Sequence, residues 1–581
     1  MKSFRLLTDY LRINKKLYLL AVLLIIASNS ILALLPKVLG EVTDGLKAGS
    51  LGQSGIRRYS LILLAIAVFY GAFFGIGQFT IMRLGRRFEF LTRGRIFTQF
   101  SRLSEDFFSR QGTGKLLSYV MNDVTSVREA ISFGVTQTTN AVFMVISCVV
   151  MMLFSGIPVT LMLVSVCPLA AIPFLVTYFG PRIRRRSMSV QDNLASMTES
   201  ADEQLGGIRV TKTFAIEQTA QQRFGAAVEQ VKGAQLHLVR LSSLFQALLP
   251  FLGALSLVVS LLVGGYMTLH GKMTLGSFVA LTFYLRMLTG PLQTIGNVIN
   301  MMQRSGASLD RVNRLLAEVP AVRDHEHARP LRSLGSIEIG HLTFAYPGSR
   351  EASLKDISFS IPKGRTVGLI GRTGSGKTTL AKLLLRIYEP PAGSIRAGGT
   401  DITEVTLDSL RTKIGYVPQD GFLFSTDIAD NIAFSDRSAG MEQVQAAAGQ
   451  ALLLESIQSF PEGFQTRLGE RGVTLSGGQR QRASLARGLM KQPELLILDD
   501  SMSAVDAVTE AGILDNLVKE RKGKTTLIIA HRISSVQHAD EIIVLDQGRI
   551  AQRGTHEQLL RDPDGLYASL YRIQQEGLQH A

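Results

Sequence analysis

Tryptophan is absent from the 581 residues, and cysteine occurs only twice, at Cys148 and Cys167. Two cysteines inside apolar runs exclude a disulfide framework and a cysteine zinc site, and leave both as small packing residues. Membrane interfaces are ordinarily enriched in Trp and Tyr, and nothing in the sequence accounts for the missing Trp. Acidic residues are also short, 47 against 62 Lys and Arg, giving a formal charge of +15. A basic chain can bind nucleic acid. Here much of the positive charge sits in loops beside apolar runs, so a membrane surface and anionic nucleotides fit better, and no nucleic-acid partner is expected.

The chain is too long for one domain. Mean hydropathy is +0.20, and the apolar residues concentrate in the first half. Six apolar stretches precede residue 305, near Leu17–Pro36, Tyr59–Met82, Ile131–Phe154, Ile157–Phe179, Leu244–Leu269 and Leu275–Met302. Each approaches or exceeds the roughly 20 residues a helix needs to cross the hydrocarbon core. Six such lengths in one half weigh against buried helices of a soluble protein. The first is too long for a signal peptide and has no convincing cleavage site.

The connections alternate between short and long. Val42–Arg58, Ser155–Gly156 and His270–Thr274 read as external loops or turns; Arg83–Ala130 and Gly180–Ser243 are long. The long ones carry Arg83, Arg86, Arg87, Arg93, Arg95 and Arg102, then Arg182, Arg184, Arg185 and Arg186, and the N-terminal flank adds Arg12, Lys15 and Lys16. Positive charge stays on the cytoplasmic side, so both termini and both long connections are expected there. Their helical periodicity predicts membrane helices extended into the cytoplasm and joined in pairs by short crosswise helices. Charge within the spans is scarce. Arg286 is the main exception, with Asn29, Gln137, Asn140, Gln246 and Asn297 as polar candidates. Intramembrane charge is costly and often functional, but Arg286 could equally snorkel or pair structurally.

After about Arg332 short β-rich runs alternate with polar helical segments, the pattern of an α/β domain. The strand Val367–Ile370 runs into Gly371-Arg372-Thr373-Gly374-Ser375-Gly376-Lys377-Thr378, the P-loop spacing with its strand before and helix after. Glycines let backbone N–H groups close around phosphate oxygens, and the helix N-terminus adds its dipole. Gly371 and Thr373 through Thr379 are the candidate phosphate contacts, with Lys377 placed for the β- and γ-phosphates and the Thr378 hydroxyl for Mg²⁺. A second strand, Leu495–Leu498, ends in Asp499-Asp500. Asp499 fits the carboxylate of a Mg²⁺ shell, although either aspartate could be a strand-end turn residue. Their weight comes from lying downstream of Leu475-Ser476-Gly477-Gly478-Gln479, which could be a flexible loop or a second nest of donors for phosphate.

P-loop, LSGGQ, the strand-end aspartate and a late histidine in this order identify a resemblance to the ATP-binding-cassette (ABC) ATPases. It covers essentially the whole chain. It implies that Tyr346 stacks on adenine, that Gln419 approaches Mg²⁺ and the attacking water, that Ser503-Ala504-Val505-Asp506 is the D-loop, and that His531 contacts the γ-phosphate. ATP and Mg²⁺ are the implied cofactors. The fused order, membrane domain first, resembles the exporter class. Phe107-Phe108 with Thr113–Ser118, and Glu203–Arg209 with Phe214, resemble that class's cytoplasmic loops. The expected architecture is therefore an all-α six-helix transmembrane domain, residues 1–320, followed by an α/β P-loop ATP-binding domain, residues 333–581. The expected location is the cell membrane, crossed several times.

One departure matters. The family's catalytic base is a Glu directly after the first aspartate, and here it is Asp500. Asp is one methylene shorter, setting the carboxylate roughly 1.5 Å back if the backbone is unchanged. The segment Leu498–Asp506, with Ser308-Leu309-Asp310-Arg311-Val312 between the domains, resembles the Asp-bearing half of bacterial heterodimeric multidrug exporters. The resemblance implies a partner half bearing a Glu, contact with membrane lipid, and an amphipathic small-molecule cargo. A homodimeric lipid flippase of the same fold is the rival. A soluble ABC protein of translation or DNA repair is disfavoured by the six spans, and an importer ATPase by the fused membrane domain.

Overall fold

The computed structural model describes residues 5–469, 472 and 475–579. The side chains of Arg5, Ile295, Gly296, Asn297, Asn300 and residues 577–579 lie outside the described set, Asn297 being one of the polar candidates above. The chain divides into two compact units. One comprises the chain up to Ser101 together with Thr113–Glu318; the other comprises Arg102–Gly112 together with the chain from Val319 onward.

The first unit is helical and, among the described residues, has six helices long and apolar enough to cross a membrane. The first span joins α1 (Arg5–Leu32) to α2 (Leu35–Lys47), which starts with Pro36 in its first turn, where its missing N–H costs nothing. Next come α3 (Gln53–Arg102) and, in the other unit, the short α4 (Glu105–Gln111). The third span is built from α5 (Thr113–Ser118), α6 (Val124–Glu129) and α7 (Val135–Phe154), with π-helical turns at Tyr119–Asp123 and Ala130–Gly134 between them. Then follow α8 (Val159–Gly206), the short α9 (Ile208–Thr213), α10 (Glu217–Leu269) and α11 (Leu275–Leu316). Each apolar stretch of the sequence falls in one of these helical spans, except that Ile157 and Pro158 precede the start of α8, and the long polar connections are continuations of the helices.

The connection expected at Val42–Arg58 is much shorter than its polarity suggested. Val42–Lys47 completes α2, and helix resumes at Gln53. The cause is packing against α11. A Cβ on Gly40 would lie 2.6 Å from the Gly276 carbonyl oxygen, so the two backbones touch, and Asp44 Oδ1 accepts the Gly276 N–H at 2.6 Å. The other two short connections turn at Gly156 (φ +68°) and Gly271 (φ +69°), left-handed positions that suit glycine.

The polar half of this unit contains a buried charge network. Glu89, 6% exposed, bridges Arg86 (2.9 Å), Arg93 (2.7 Å) and the buried Arg128 (3.3 Å). Nearby, Asp123 pairs through both oxygens with Arg311, which also donates to Ser308 Oγ at 3.0 Å. These pairs join α3, the third span and α11.

In the second unit an antiparallel sheet, in the order β2-β1-β4-β5, and a larger sheet, β10-β9-β3-β8-β7-β6, share the fold. The strands are β1 (Ile337–Phe344), β2 (Leu354–Ile361), β3 (Thr366–Gly371), β4 (Ile395–Ala397), β5 (Thr400–Asp401), β6 (Ile414–Val417), β7 (Leu495–Asp499), β8 (Thr525–Ala530), β9 (Glu541–Asp546) and β10 (Arg549–Gly554). β3, β6, β7, β8 and β9 run parallel. β7 and β8 are buried along their whole length, as strands covered on both faces must be. The larger helices are α12 (Lys377–Leu384), α13 (Leu407–Lys413), α14 (Ile428–Ile432), α15 (Met441–Gln450), α16 (Leu454–Gln458), α17 (Gly477–Met490), α18 (Ala507–Glu520), α19 (His556–Leu560) and α20 (Leu566–Gln579). Arg102–Gly112 belongs here through Glu105, whose carboxylate takes a 2.6 Å hydrogen bond from Lys382 Nζ on α12.

Candidate nucleotide-binding site

β3, β8, β7 and β6 lie side by side, and each delivers at its carboxyl end a residue singled out from the sequence. Crevices outside such strand ends are where α/β sheets bind ligands. β3 runs into the P-loop. A Cβ on Gly371 would lie 2.1 Å from the Leu545 carbonyl oxygen, and one on Gly376 (φ +101°) would lie 2.7 Å from that of Ser353. Only glycine lets the loop fold this tightly. Thr373 and Gly374 stand exposed at its tip. Lys377 is 5% exposed, and its Nζ donates to the carbonyls of Gly371 (2.8 Å) and Arg372 (3.0 Å). Burial pushes its pKa down, against the opposing charges of Asp500 and Asp499. Ser375 Oγ is buried and has no hydrogen-bond partner among the described residues, an orphaned donor inside the loop that fits an anionic oxygen.

β7 ends at Asp499, 1% exposed. Its Oδ1 accepts from Thr378 Oγ1 at 3.1 Å and its Oδ2 from the Tyr416 hydroxyl at 3.0 Å. Burial raises its pKa, and the two hydroxyl bonds pull the other way. Thr378 and Asp499 thus set oxygens together where a divalent cation could be held, with Gln419 close by. The next residue, Asp500, has a left-handed backbone (φ +46°). Its N–H donates to the Ile529 carbonyl at 2.8 Å, and its Oδ2 accepts from Gln419 Nε2 at 3.2 Å. Gln419 itself stands two residues beyond the end of β6. His531 follows β8; burial lowers its pKa, the Lys377 charge acts in the same direction, and Asp500 and Asp499 oppose. Lys377, Thr378, Gln419, Asp499, Asp500 and His531 therefore occupy one edge of the sheet.

Two sets of expected residues lie apart from that edge. Tyr346 stands beside the first turn of α12, its hydroxyl 3.0 Å from Thr379 Oγ1, with its ring edge-on to Tyr388 at 5.0 Å. Ser476–Gln479 opens α17. Ser476 Oγ accepts the Gln479 N–H at 3.3 Å, while Gln479 Oε1 accepts the Ser476 N–H at 3.0 Å, a reciprocal cap. Gly477 and Gly478 lie against Ala504. Among the described residues no hydrogen bond joins this segment to the P-loop.

Two contributors went unread in the sequence. Tyr416 buttresses Asp499 from β6, and no sequence signal marks it. Gln481 is buried just after the LSGGQ segment; its amide donates to Ser503 Oγ (3.0 Å) and to the Gln419 carbonyl (3.4 Å) and accepts the Ala504 N–H (2.8 Å). It links three of the expected segments, and its place in the motif's extension was the available clue.

The family model for the ABC transporter transmembrane region matches residues 18–292, and that for the ABC transporter matches residues 354–503. The chain is 38% identical over 560 residues to the probable multidrug resistance ABC transporter ATP-binding/permease protein YheI of Bacillus subtilis (strain 168), covering 96% of this chain and 95% of that protein. The chain belongs to the ABC transporter family. It is a multi-pass membrane protein of the ABC exporter type and an ATP-hydrolysing transporter. Other exporters resemble it over similar lengths. The multidrug resistance-like ATP-binding protein MdlA of Escherichia coli (strain K12) is 32% identical, covering 99% of this chain and 97% of MdlA. The ATP-dependent lipid A-core flippase of Methylococcus capsulatus (strain ATCC 33009 / NCIMB 11132 / Bath) is 33% identical, covering 96% and 92%. A solved bacterial Atm1-family ABC exporter with ATP bound superposes with a TM-score of 0.80 at 27% identity, covering 97% of this chain and 99% of that one. The expected six-helix membrane domain followed by an α/β nucleotide-binding domain is thus the architecture of this exporter.

Proposed function

We propose that this exporter is one half of a heterodimer that moves amphipathic drugs or lipids across the cytoplasmic membrane, and that its own ATP site hydrolyses weakly. Asp500 carries the reading. Its backbone is fixed by the bond to Ile529, its carboxylate is engaged by Gln419, and it is one methylene short of the glutamate that the family uses as base. A general base must reach its water, and a shortfall of this size can lower the rate roughly 100-fold.

In this reading Tyr346 stacks on adenine, and the P-loop amides, Lys377 and Ser375 bind the phosphates. Thr378 and Asp499, with Gln419, would hold Mg²⁺. Bound Mg²⁺ neutralises charge on the β- and γ-phosphates. His531, whose pKa burial lowers, is available to hydrogen-bond the γ-phosphate. Ser476–Gln479 faces the nucleotide of the partner half, in keeping with its separation from this chain's P-loop. The partner bears a Glu after its own strand-end aspartate and supplies the faster site. The membrane domain spans residues 1–320 and the ATP-binding domain 333–581, with both termini in the cytoplasm, the side the arginine-rich connections favour.

Purification from native membranes followed by mass spectrometry tests the heterodimer. A second, Glu-bearing half should appear in equal amount, and the chain alone should show little substrate-stimulated ATPase. The likeness to lipid A-core flippases favours a second reading, a homodimeric flippase. Robust stimulated turnover by the pure chain would establish that reading and end the first.

A further inference from the structure

Arg286 is the one charged residue within the six apolar stretches, and those stretches contain no Asp or Glu to neutralise it. Among the described residues it has no hydrogen-bond or ion-pair partner. It lies eleven residues beyond Leu275 on α11, about 17 Å along a helix rising 1.5 Å per residue. That is near the middle of a hydrocarbon core about 30 Å thick, too deep for an arginine to snorkel to either interface.

The helix's neighbours define which way the charge faces. α11 packs against α2, α7, α8 and α10 and buries Leu281, Tyr284, Leu285 and Leu288. The strip left open carries Phe283, Arg286 and Gly290. Elsewhere the exposed faces of the spans are mostly apolar, as Leu61, Leu64 and Phe69 on α3 and Leu255, Leu261 and Leu262 on α10 show, and these suit lipid tails; Gln246 and Thr138 interrupt them with polar but uncharged groups. A cation at this depth faces a polar cavity or a counter-charge, and the chain's own apolar stretches provide no Asp or Glu for it.

We propose that Arg286 is the headgroup contact for the cargo, and that the cargo is an amphiphile with an anionic head, a phosphate or a carboxylate. A guanidinium matches either group through paired N–H donors, while Phe283, one turn away on the same strip, offers apolar surface to the tail. The inference rests on the exporter reading and narrows its cargo.

The test is equilibrium binding to the complex purified from native membranes and held in nanodiscs without nucleotide. The probes are fluorescently labelled phosphatidic acid, labelled dodecanoate and, as zwitterionic control, labelled phosphatidylcholine. At least one anionic probe should bind more tightly than phosphatidylcholine. Arg286→Gln should weaken that binding on the order of tenfold or more, Arg286→Lys should weaken it much less, and phosphatidylcholine should be unmoved by either. Preference for phosphatidic acid alone would identify a lipid cargo, for dodecanoate alone a small carboxylate, and for both a requirement of charge only. Absence of anionic preference, or equal weakening of all probes, would overturn the proposal. So would an Arg286→Gln complex that dissociates while Arg286→Lys stays assembled, since the counter-charge would then belong to the partner subunit. MgATP hydrolysis by the same wild-type sample separates failure of the exporter reading from failure of this one.

Discussion

If this chain's own site is the slow one, replacing Asp500 should matter less than replacing Ser476, although Asp500 sits next to the metal-side aspartate and Ser476 is exposed on a helix cap. The Asp500 backbone is pinned by its N–H bond to Ile529 at 2.8 Å and by the Ser503 hydroxyl on its carbonyl at 3.1 Å. It therefore has little freedom to move forward and make up the missing methylene. A base already about 1.5 Å out of place has forfeited on the order of 100-fold, about 2.7 kcal/mol of barrier. Asp500→Asn then removes little that remains, well under about tenfold in turnover. Ser476 is assigned to the partner's faster site, where losing one preorganised contact to the reacting phosphate costs on the order of 100-fold. Ser476→Ala also removes a helix cap worth about 1 kcal/mol, so Ser476→Asn, which keeps the cap and loses the hydroxyl, is the control and should be equally slow. The assay is steady-state ATPase of the native complex carrying each change, with ATP binding checked in all. Asp500→Glu should raise hydrolysis at this chain's site toward that of the partner. The assignment of the two sites is backwards if Asp500→Asn abolishes turnover and Ser476→Ala leaves it intact.

Lys377→Ala removes the buried cation that spans the P-loop carbonyls, so photolabelling of this chain by an ATP analogue should fall sharply; undiminished labelling would refute its placement at the phosphates. In the membrane unit, Glu89→Gln removes the buried carboxylate shared by Arg86, Arg93 and Arg128 and leaves the buried Arg128 only the half-exposed Glu129 at 3.2 Å; it should cost about 3 kcal/mol, read as a lowered thermal midpoint by circular dichroism. The paired change Glu89→Leu with Arg128→Met should recover most of that loss. Equal stability of Glu89→Gln and wild type would mean that Arg128 finds compensation elsewhere.

The spans and the P-loop were legible because each is a local property: an apolar run longer than the bilayer core, or glycines at positions where a Cβ would strike a carbonyl. The end of the first span was not. Glu41, Asp44 and Lys47 look like loop residues, yet α2 continues through them because Gly40 and Gly276 let two backbones touch and Asp44 caps that contact. Helix ends there are set by a neighbour 232 residues away in the chain. Tyr416 and Gln481 escaped for the same reason, their roles existing only once β6 lies beside β7 and α17 beside the Ser503–Ala504 segment. The π-helical turns flanking α6 likewise have no signature in the residues that form them.

The short stretch Arg102–Gly112 comes straight from the end of α3, one of the membrane-crossing helices, and yet folds with the ATP-binding half. The border between the two halves is therefore crossed by the polypeptide more often than a single cut near residue 319 suggests. A soluble piece beginning there would leave Lys382 without Glu105 and expose whatever α4 covers, so its behaviour would misrepresent the intact machine. The same path means that any shift of this stretch pulls on α3 through peptide bonds, a mechanical tether that cannot detach during a transport cycle as a docked surface can.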